Sequence, residues 1–274
     1  MSLSIVIPAN NEGAYIEACL SAVVASRGLS TAQVIVVANG CSDDTVSKVR
    51  GFNTEYAAKG WTLEVLDLPG LGKHGALDAG DAAARFADRV YLDADVIVSP
   101  SLLAQVAQAL QTPQPRYASG TPRVTARSFV TRAYARFWVR LPFVAQGVPG
   151  FGLYAVNGAG RARWATFPAI ISDDTYVRIQ FTPEERIKLP APYDWPMVEG
   201  FRNLVRVRRR QDQGVAELAV SEPVLMQNEG KARPTKRWLL GRLLRDPVAF
   251  VIYAAVTLAV RFGWGNQDGW VRGR

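Results

Sequence analysis

Within its first 98 residues the chain alternates short apolar runs with stretches of helical periodicity, and this alternation restricts its fold more than any other feature. Ser4–Pro8 (SIVIP), Gln33–Ala38 (QVIVVA), Leu63–Leu68 (LEVLDL) and Arg89–Leu92 (RVYL) read as buried strands. Asn10–Val24 sets Tyr15, Ile16, Cys19, Leu20 and Val23 at helical spacing. Asn39-Gly40 supplies turn chemistry, with Ser42 or Asp43 as cap for a helix from Thr45. Ala76–Phe86 is an Ala-rich helix. This order predicts an α/β fold, a mostly parallel central sheet with helices on both faces. Ligands of such sheets bind beyond the carboxyl ends of the strands, where Asn10, Asn39, Gly70–Gly75 and Asp93 fall.

After residue 100 the pattern loosens. Pro100–Leu110 reads as a helix, Thr112–Pro115 as a turn, and Thr125–Leu141 as a helix with Arg132, Arg136 and Arg140 on one face. Gly147–Gly160 contains five glycines and reads as a loop near a site. Arg202–Arg210 is helical and basic. No internal repeat or interdomain linker is visible.

Composition removes several classes of function. At 274 residues and 49% apolar, the chain can bury a full core without staples. Two cysteines, Cys19 and Cys41, exclude a disulfide framework and point to a reducing, cytoplasmic setting. One histidine argues against a His-ligated zinc site or a Ser-His-Asp triad. The start has no signal-peptide pattern. The longest apolar run, Val248–Val260, is shorter than the ~18–20 residues that span a bilayer.

The net charge of +8 is unevenly placed. Residues 1–200 hold 18 basic and 18 acidic side chains; residues 201–274 hold 14 and 6. Between Asp95 and Asp173 there are eight arginines and no acid. An acid-free basic stretch between two acidic pairs suits a phosphorylated ligand, an anionic acceptor or a membrane surface.

Asp93-Ala94-Asp95 ends a strand. Carboxylates one residue apart on extended backbone point the same way and can share one hard cation, Mn²⁺ or Mg²⁺, completed by substrate phosphates. Taken alone, the pattern fits a solvated loop better, and only its setting among the other motifs changes that weight. Asp173-Asp174 follows Ser172, a candidate helix cap. It reads either as a charge cap or as a general base whose pKa is raised by burial and a like-charged neighbour. Gly70-Leu71-Gly72-Lys73-His74-Gly75 matches G-x-G-x-x-G, with Asp93 about twenty residues on, and supports an alternative: an NAD(P)-dependent oxidoreductase. Pro69 and the placement on the third strand weigh against it. A third reading is a basic module for nucleic acid or acidic polysaccharide. Trp138, Tyr154 and Trp164 are core aromatics or sugar-stacking rings.

Taken together, IVIPANNE (5–12), VIVVANGCSDDT (34–45), GKHGALDAG (72–80), YLDADV (91–96) and ISDDT (171–175) resemble the family 2 glycosyltransferases of GT-A fold. The resemblance implies an enzyme that moves a sugar from a UDP- or GDP-sugar to an acceptor hydroxyl with inversion, and no nucleic-acid partner. It implies that Pro8, Asn10 and Glu12 line the nucleoside pocket and that Asn39 faces the base, where the family commonly has Asp. It implies that Lys73 approaches the diphosphate, that Asp95 ligates Mn²⁺ or Mg²⁺ while Asp93 lies against the ribose or sugar, and that Asp174, flanked by Asp173, is the catalytic base. Arg209, in Arg208-Arg209-Arg210-Gln211, stands where relatives carry a basic motif near the diphosphate. The implied organisation is a nucleotide-binding half (1–98), an acceptor half (99–230) and a basic, apolar extension (231–274). Trp238–Trp264 within that extension reads as an element for the cytoplasmic face of a membrane, near a lipid-linked acceptor, or as a helix pair packed on the domain or in a homodimer.

Overall fold

A computed structural model describes residues 1–263. Strands β1 (Ser2–Ala9), β2 (Thr31–Asn39) and β3 (Thr62–Leu68) pair in parallel, and β4 (Arg89–Leu92) pairs in parallel with β1. β1 and β2 are buried on both faces, which is why they read as continuous apolar runs. Their alternating side chains feed two cores. Ile5, Ile7, Val34 and Val36 meet Ile16, Cys19, Leu20 and Val23 of α1 (Ile16–Val24). Val6, Ile35 and Val37 meet Ala76 and Leu77 from the opposite side. Helices α2 (Thr45–Gly51) and α3 (Asn53–Ala58) connect β2 to β3, and α4 (Gly72–Ala83) connects β3 to β4.

After β5 (Ile97–Val98) and α5 (Leu102–Leu110), the sheet is extended by β6 (Tyr117–Thr125), β7 (Leu153–Val156) and β8 (Arg186–Pro196), giving the order β3-β2-β1-β4-β7-β6-β8-β5. β7 runs antiparallel to β4 and β6, β5 antiparallel to β8, and β6 parallel to β8. Between β6 and β7 lie α6 (Phe129–Trp138) and α7 (Pro142–Gln146); between β7 and β8 lie α8 (Gly158–Arg161) and α9 (Asp173–Ile179). The long α10 (Phe201–Ser221) precedes α11 (Lys236–Arg245) and α12 (Pro247–Arg261).

The structure corrects four sequence expectations. The Gly147–Gly160 segment is not all loop: Leu153–Val156 forms β7 at the centre of the sheet, held by pairing with β4 that no local pattern reports. The first helix starts at Ile16, because Asn11 takes a left-handed φ of 52° and its Oδ1 accepts from the Ser42 and Asp43 amides. The helix expected from Ala76 is α4 and begins at Gly72, so most of Gly70–Gly75 is helix. The dinucleotide fingerprint also belongs on a first, central strand, whereas β3 lies at the sheet edge, so the oxidoreductase alternative is not supported. Ser172 occupies the N-cap position of α9 without a side-chain capping bond.

The C-terminal helices pack on the domain. Tyr253 of α12 stacks on Tyr134 and Phe137 of α6, and Phe250 and Trp238 reach the same Phe137 ring. Arg136 of α6 binds the α12 cap residue Asp246. Trp264, the last residue of the expected interfacial segment, lies outside the described residues. No described helix is long and apolar enough to cross a membrane.

Candidate active site

The carboxyl ends of β1, β2 and β4 open onto a cleft of about 540 Å³, a normal volume for a ligand the size of a nucleotide sugar. Pro8, Asn10 and Glu12 line it from the β1 turn, Asn39 from β2, Lys73 and His74 from α4, and Asp93 and Asp95 from the end of β4. Asp173 and Asp174 line it from the start of α9. The turn that carries Asp93 and Asp95 is anchored by the Asp93 amide donating to Gly152 O at 2.8 Å and the Val96 amide donating to Asp93 O at 3.1 Å. The two acidic clusters, far apart in sequence, therefore face one space.

Lys73 joins them. Its Nζ lies 3.2 Å from Asp93 Oδ1 and 3.2 Å from Asp173 Oδ1. Desolvation opposes the ammonium, but Asp173, Asp93 and Asp174 outweigh it and hold Lys73 above its ordinary range. Asp173 is buried, and its second oxygen has no hydrogen-bond partner among the described residues. Asp174 is in a different electrostatic position. Burial, then the adjacent Asp173, push its carboxyl up to about 6, against the opposing pull of Lys73 and of the Thr175 amide, which donates to Oδ1 at 2.7 Å. A carboxyl poised there is ionised at neutral pH yet basic enough to take a proton.

Asn39 is turned toward the neighbouring backbone. Its Oδ1 accepts from the Leu71 amide at 2.6 Å, and its Nδ2 donates to Gly72 O at 2.9 Å. Asn10 Nδ2 in turn donates to Asn39 O at 2.5 Å. One amide side chain thus ties β2 to the turn that launches Lys73. Gly40, at φ +67°, permits this closeness; a Cβ there would lie 3.0 Å from Gly70 Cα.

Arg209 does not line the cleft, whereas its neighbours Arg210 and Gln211, with Val207, do. A run of three arginines gives no phase for the helix, so sequence could not choose among them. Trp138 and Trp164 are buried away from the cleft, while the buried Tyr154 contributes to its lining. The aromatic wall instead includes Phe151 and Trp195, stacked at 5.4 Å. Neither ring stood out in sequence, since Trp195 sits in a proline-interrupted strand.

Asp93 and Asp95 are hard oxygen donors one residue apart on one rim, a set that fits Mn²⁺ or Mg²⁺. No group of three or more His, Cys, Asp or Glu among the described residues is arranged to hold an ion. The remaining ligands would have to come from diphosphate and water, as is usual for such cations.

The family described as Glycosyl transferase family 2 matches residues 4–161. Among solved structures, a mannosyltransferase from Pyrobaculum calidifontis in complex with GDP-Man and Mn²⁺ is 22% identical, with a TM-score of 0.63, covering 97% of this chain and 76% of that one. Glucosyl-3-phosphoglycerate synthase from Mycobacterium tuberculosis, with Mn²⁺, UDP and glucosyl-3-phosphoglycerate, is 21% identical, with a TM-score of 0.55 and coverage of 80% and 79%. Residues 1–349 of S. aureus TarS with UDP are 13% identical, with a TM-score of 0.55 and coverage of 100% and 95%. These likenesses show the GT-A fold. No curated protein sequence matches the chain.

Proposed function

The chain belongs to glycosyl transferase family 2, and from that premise we propose that it moves a sugar from a UDP- or GDP-sugar to an acceptor hydroxyl in one inverting displacement, with Asp174 as the base. The observation that supports this reading is Lys73, whose ammonium bridges Asp93 and Asp173, so that the two acidic clusters share one cleft.

In this reading residues 1–98 hold the nucleotide and residues 99–230 the acceptor. Pro8, Asn10 and Glu12 flank the nucleoside, and Asn39 acts on it indirectly, by fixing the 71–72 turn. Asp93 and Asp95 would hold Mn²⁺ or Mg²⁺ on the diphosphate side of the cleft. When bound, that cation neutralises charge on the leaving group. Lys73 and Arg210 add fixed positive charge to the cleft. Asp174 accepts the hydroxyl proton as the acceptor oxygen bonds to the anomeric carbon. The bond from that carbon to the diphosphate oxygen breaks on the opposite face, and the nucleoside diphosphate departs with the electron pair. Asp173, paired with Lys73, lies beside Asp174 and helps to hold its carboxyl up.

Calorimetry with UDP and GDP, with and without Mn²⁺, tests donor binding, and sugar transfer by Asp174→Asn tests the base. Asp95→Ala should remove the Mn²⁺ dependence of nucleotide binding. Asp174→Asn should bind the nucleotide normally and transfer at least ~100-fold more slowly. Normal transfer by Asp174→Asn would remove the base from the proposal.

A further inference from the structure

Helix α12 (PVAFVIYAAVTLAVR) is apolar almost all round, yet only one side of it is covered. Ala249 and Val256 are buried, and Tyr253 stacks on α6. The opposite side leaves Val248, Val251, Leu258 and the following Phe262 exposed, a 3-4-spaced ridge. Leu240 and Leu244 of α11, also exposed, add to the apolar surface of these two helices. A helix that is hydrophobic on every side is ordinarily surrounded by protein or lipid.

The charge around this ridge has one sign. Segment 236–262 carries Lys236, Arg237, Arg242, Arg245 and Arg261 against a single acid, Asp246, and Arg136 already binds Asp246. The adjoining α6 segment adds exposed Arg127, Arg132 and Arg140, together with Phe129, which is 60% exposed. Exposed leucine, valine and phenylalanine flanked by unopposed arginine and lysine complement an anionic lipid surface, where acyl boundary and head groups meet both. A second copy of the chain would bring its own cations against these, which disfavours self-association through this face.

We propose that the α11–α12 face, with the exposed edge of α6, docks on an anionic bilayer, and that the acceptor is correspondingly a membrane-borne amphiphile. The docking stands without the catalytic reading; the acceptor class rests on it. Helix α10 links the two sites. Its Val207, Arg210 and Gln211 line the cleft, while the intervening Arg208 contacts Tyr253 of α12. One helix, about 10 Å across, therefore separates the docking face from the cleft.

The test is co-sedimentation of the full chain with phosphatidylcholine vesicles, with and without phosphatidylglycerol. The wild type should pellet with the anionic vesicles only, and salt should release it. Leu244→Asp with Val251→Asp and Leu258→Asp replaces exposed side chains only and should weaken partitioning by about tenfold or more. Arg245→Glu with Arg261→Glu, which leaves the apolar ridge intact, should do likewise. Binding of UDP or GDP with Mn²⁺ should be unchanged in both variants, which confirms folding and reads the catalytic proposal separately. Wild type left in the supernatant, or variants that pellet like wild type, would overturn the docking. So would a dimer in light scattering that the triple variant converts to monomer, since a second copy would then cover the ridge.

Discussion

Lys73 and Asp173 form an ion pair of 3.2 Å across the cleft, between the first turn of α4 and the first residue of α9. The same ammonium reaches Asp93 at 3.2 Å. Three charged groups from three separate elements therefore share one contact. Their order along the chain says nothing of this; the parallel strands β3 and β4 deliver Lys73 and Asp93 to one rim, whereas Asp173 reaches it from the segment that follows the antiparallel β7.

Removing that cation should have two measurable effects. In Lys73→Met the carboxylates of Asp93 and Asp173 lose their partner, and the buried Asp173 is left without its counter-ion, which costs stability. Thermal melts at neutral pH should show Lys73→Met destabilised by ~1–3 kcal/mol, a discount from a fully buried pair because Lys73 is half-exposed. Calorimetry should find nucleoside diphosphate affinity lowered ~10–100-fold, two charge-assisted contacts being weakened at once.

Asp174 links rate and stability with opposite signs. Its folded-state carboxyl lies at about 6, above the 3.8 of an unperturbed aspartate. As the base it must be ionised, so kcat/KM should rise with pH through about 6 and level off above it. Folding runs the other way. Between those two values the folded chain holds a proton that the unfolded chain has released, so this group's contribution to stability declines as pH rises through the window. Asp174→Asn removes the ionisation altogether. It should melt at the same temperature as wild type near pH 4 and higher at pH 7.5, by up to ~1–3 kcal/mol, while losing transfer. A variant less stable than wild type at pH 7.5 would contradict this electrostatic account.

The first half of the fold was legible because its signals are local. SIVIP, QVIVVA and RVYL are short β-branched or aromatic runs with punctuation at Pro8, Asn39-Gly40 and Asp93, and each site residue from them lies at a strand end. The second half depends on partners distant in sequence. Leu153–Val156 is a strand because β4 and β6 flank it, and the surrounding glycines gave the opposite local signal. Arg186–Pro196 hides behind Pro190, Pro192 and Pro196, yet pairs with β6 through a register shift between Ser119 and Thr121. Trp195 and Phe151 on the cleft wall were unreadable for that reason. Arg210 replaced Arg209 on the cleft only when the phase of α10 was known. Asn39 was visible as a site position, but its tie to the 71–72 backbone requires the approach of α4 to β2.

That tie gives a third prediction. Asn39 accepts from the Leu71 amide and donates to the Gly72 carbonyl, which requires one acceptor and one donor on the same side chain. Asp at this position keeps the acceptor but sets a second oxygen against Gly72 O. Asn39→Asp should cost ~1–3 kcal/mol of stability through the unmatched pair and loosen the turn that aims Lys73. Nucleotide affinity should fall in Asn39→Asp and, to a similar extent, in Asn39→Ala, for UDP and GDP alike. If Asn39→Asp instead changes the preference between UDP and GDP, Asn39 contacts the base directly.

The last prediction concerns a residue outside the cleft lining. Gly214 of α10 lies against the segment that leads into α9: a Cβ there would stand 2.3 Å from Ser172 Oγ and 3.0 Å from Ile171 Cβ. One turn further along, Glu217 accepts from the Ile171 amide at 3.2 Å. Helix α10 thus sets the height of the backbone immediately before Asp173 and Asp174. Gly214→Ala gains helix propensity of roughly 1 kcal/mol but forces a separation at that contact, which costs ~1–3 kcal/mol. The shift falls on the acids of α9 and not on Pro8, Asn10 or Asp95. Gly214→Ala should therefore lower kcat by ~10-fold or more while leaving nucleoside diphosphate affinity within about twofold of wild type. Glu217→Gln keeps an acceptor for Ile171 without adding volume, and its kcat should stay near wild type. Equal losses in the two variants would show that the charge of Glu217, and not the close approach at Gly214, positions the catalytic acids.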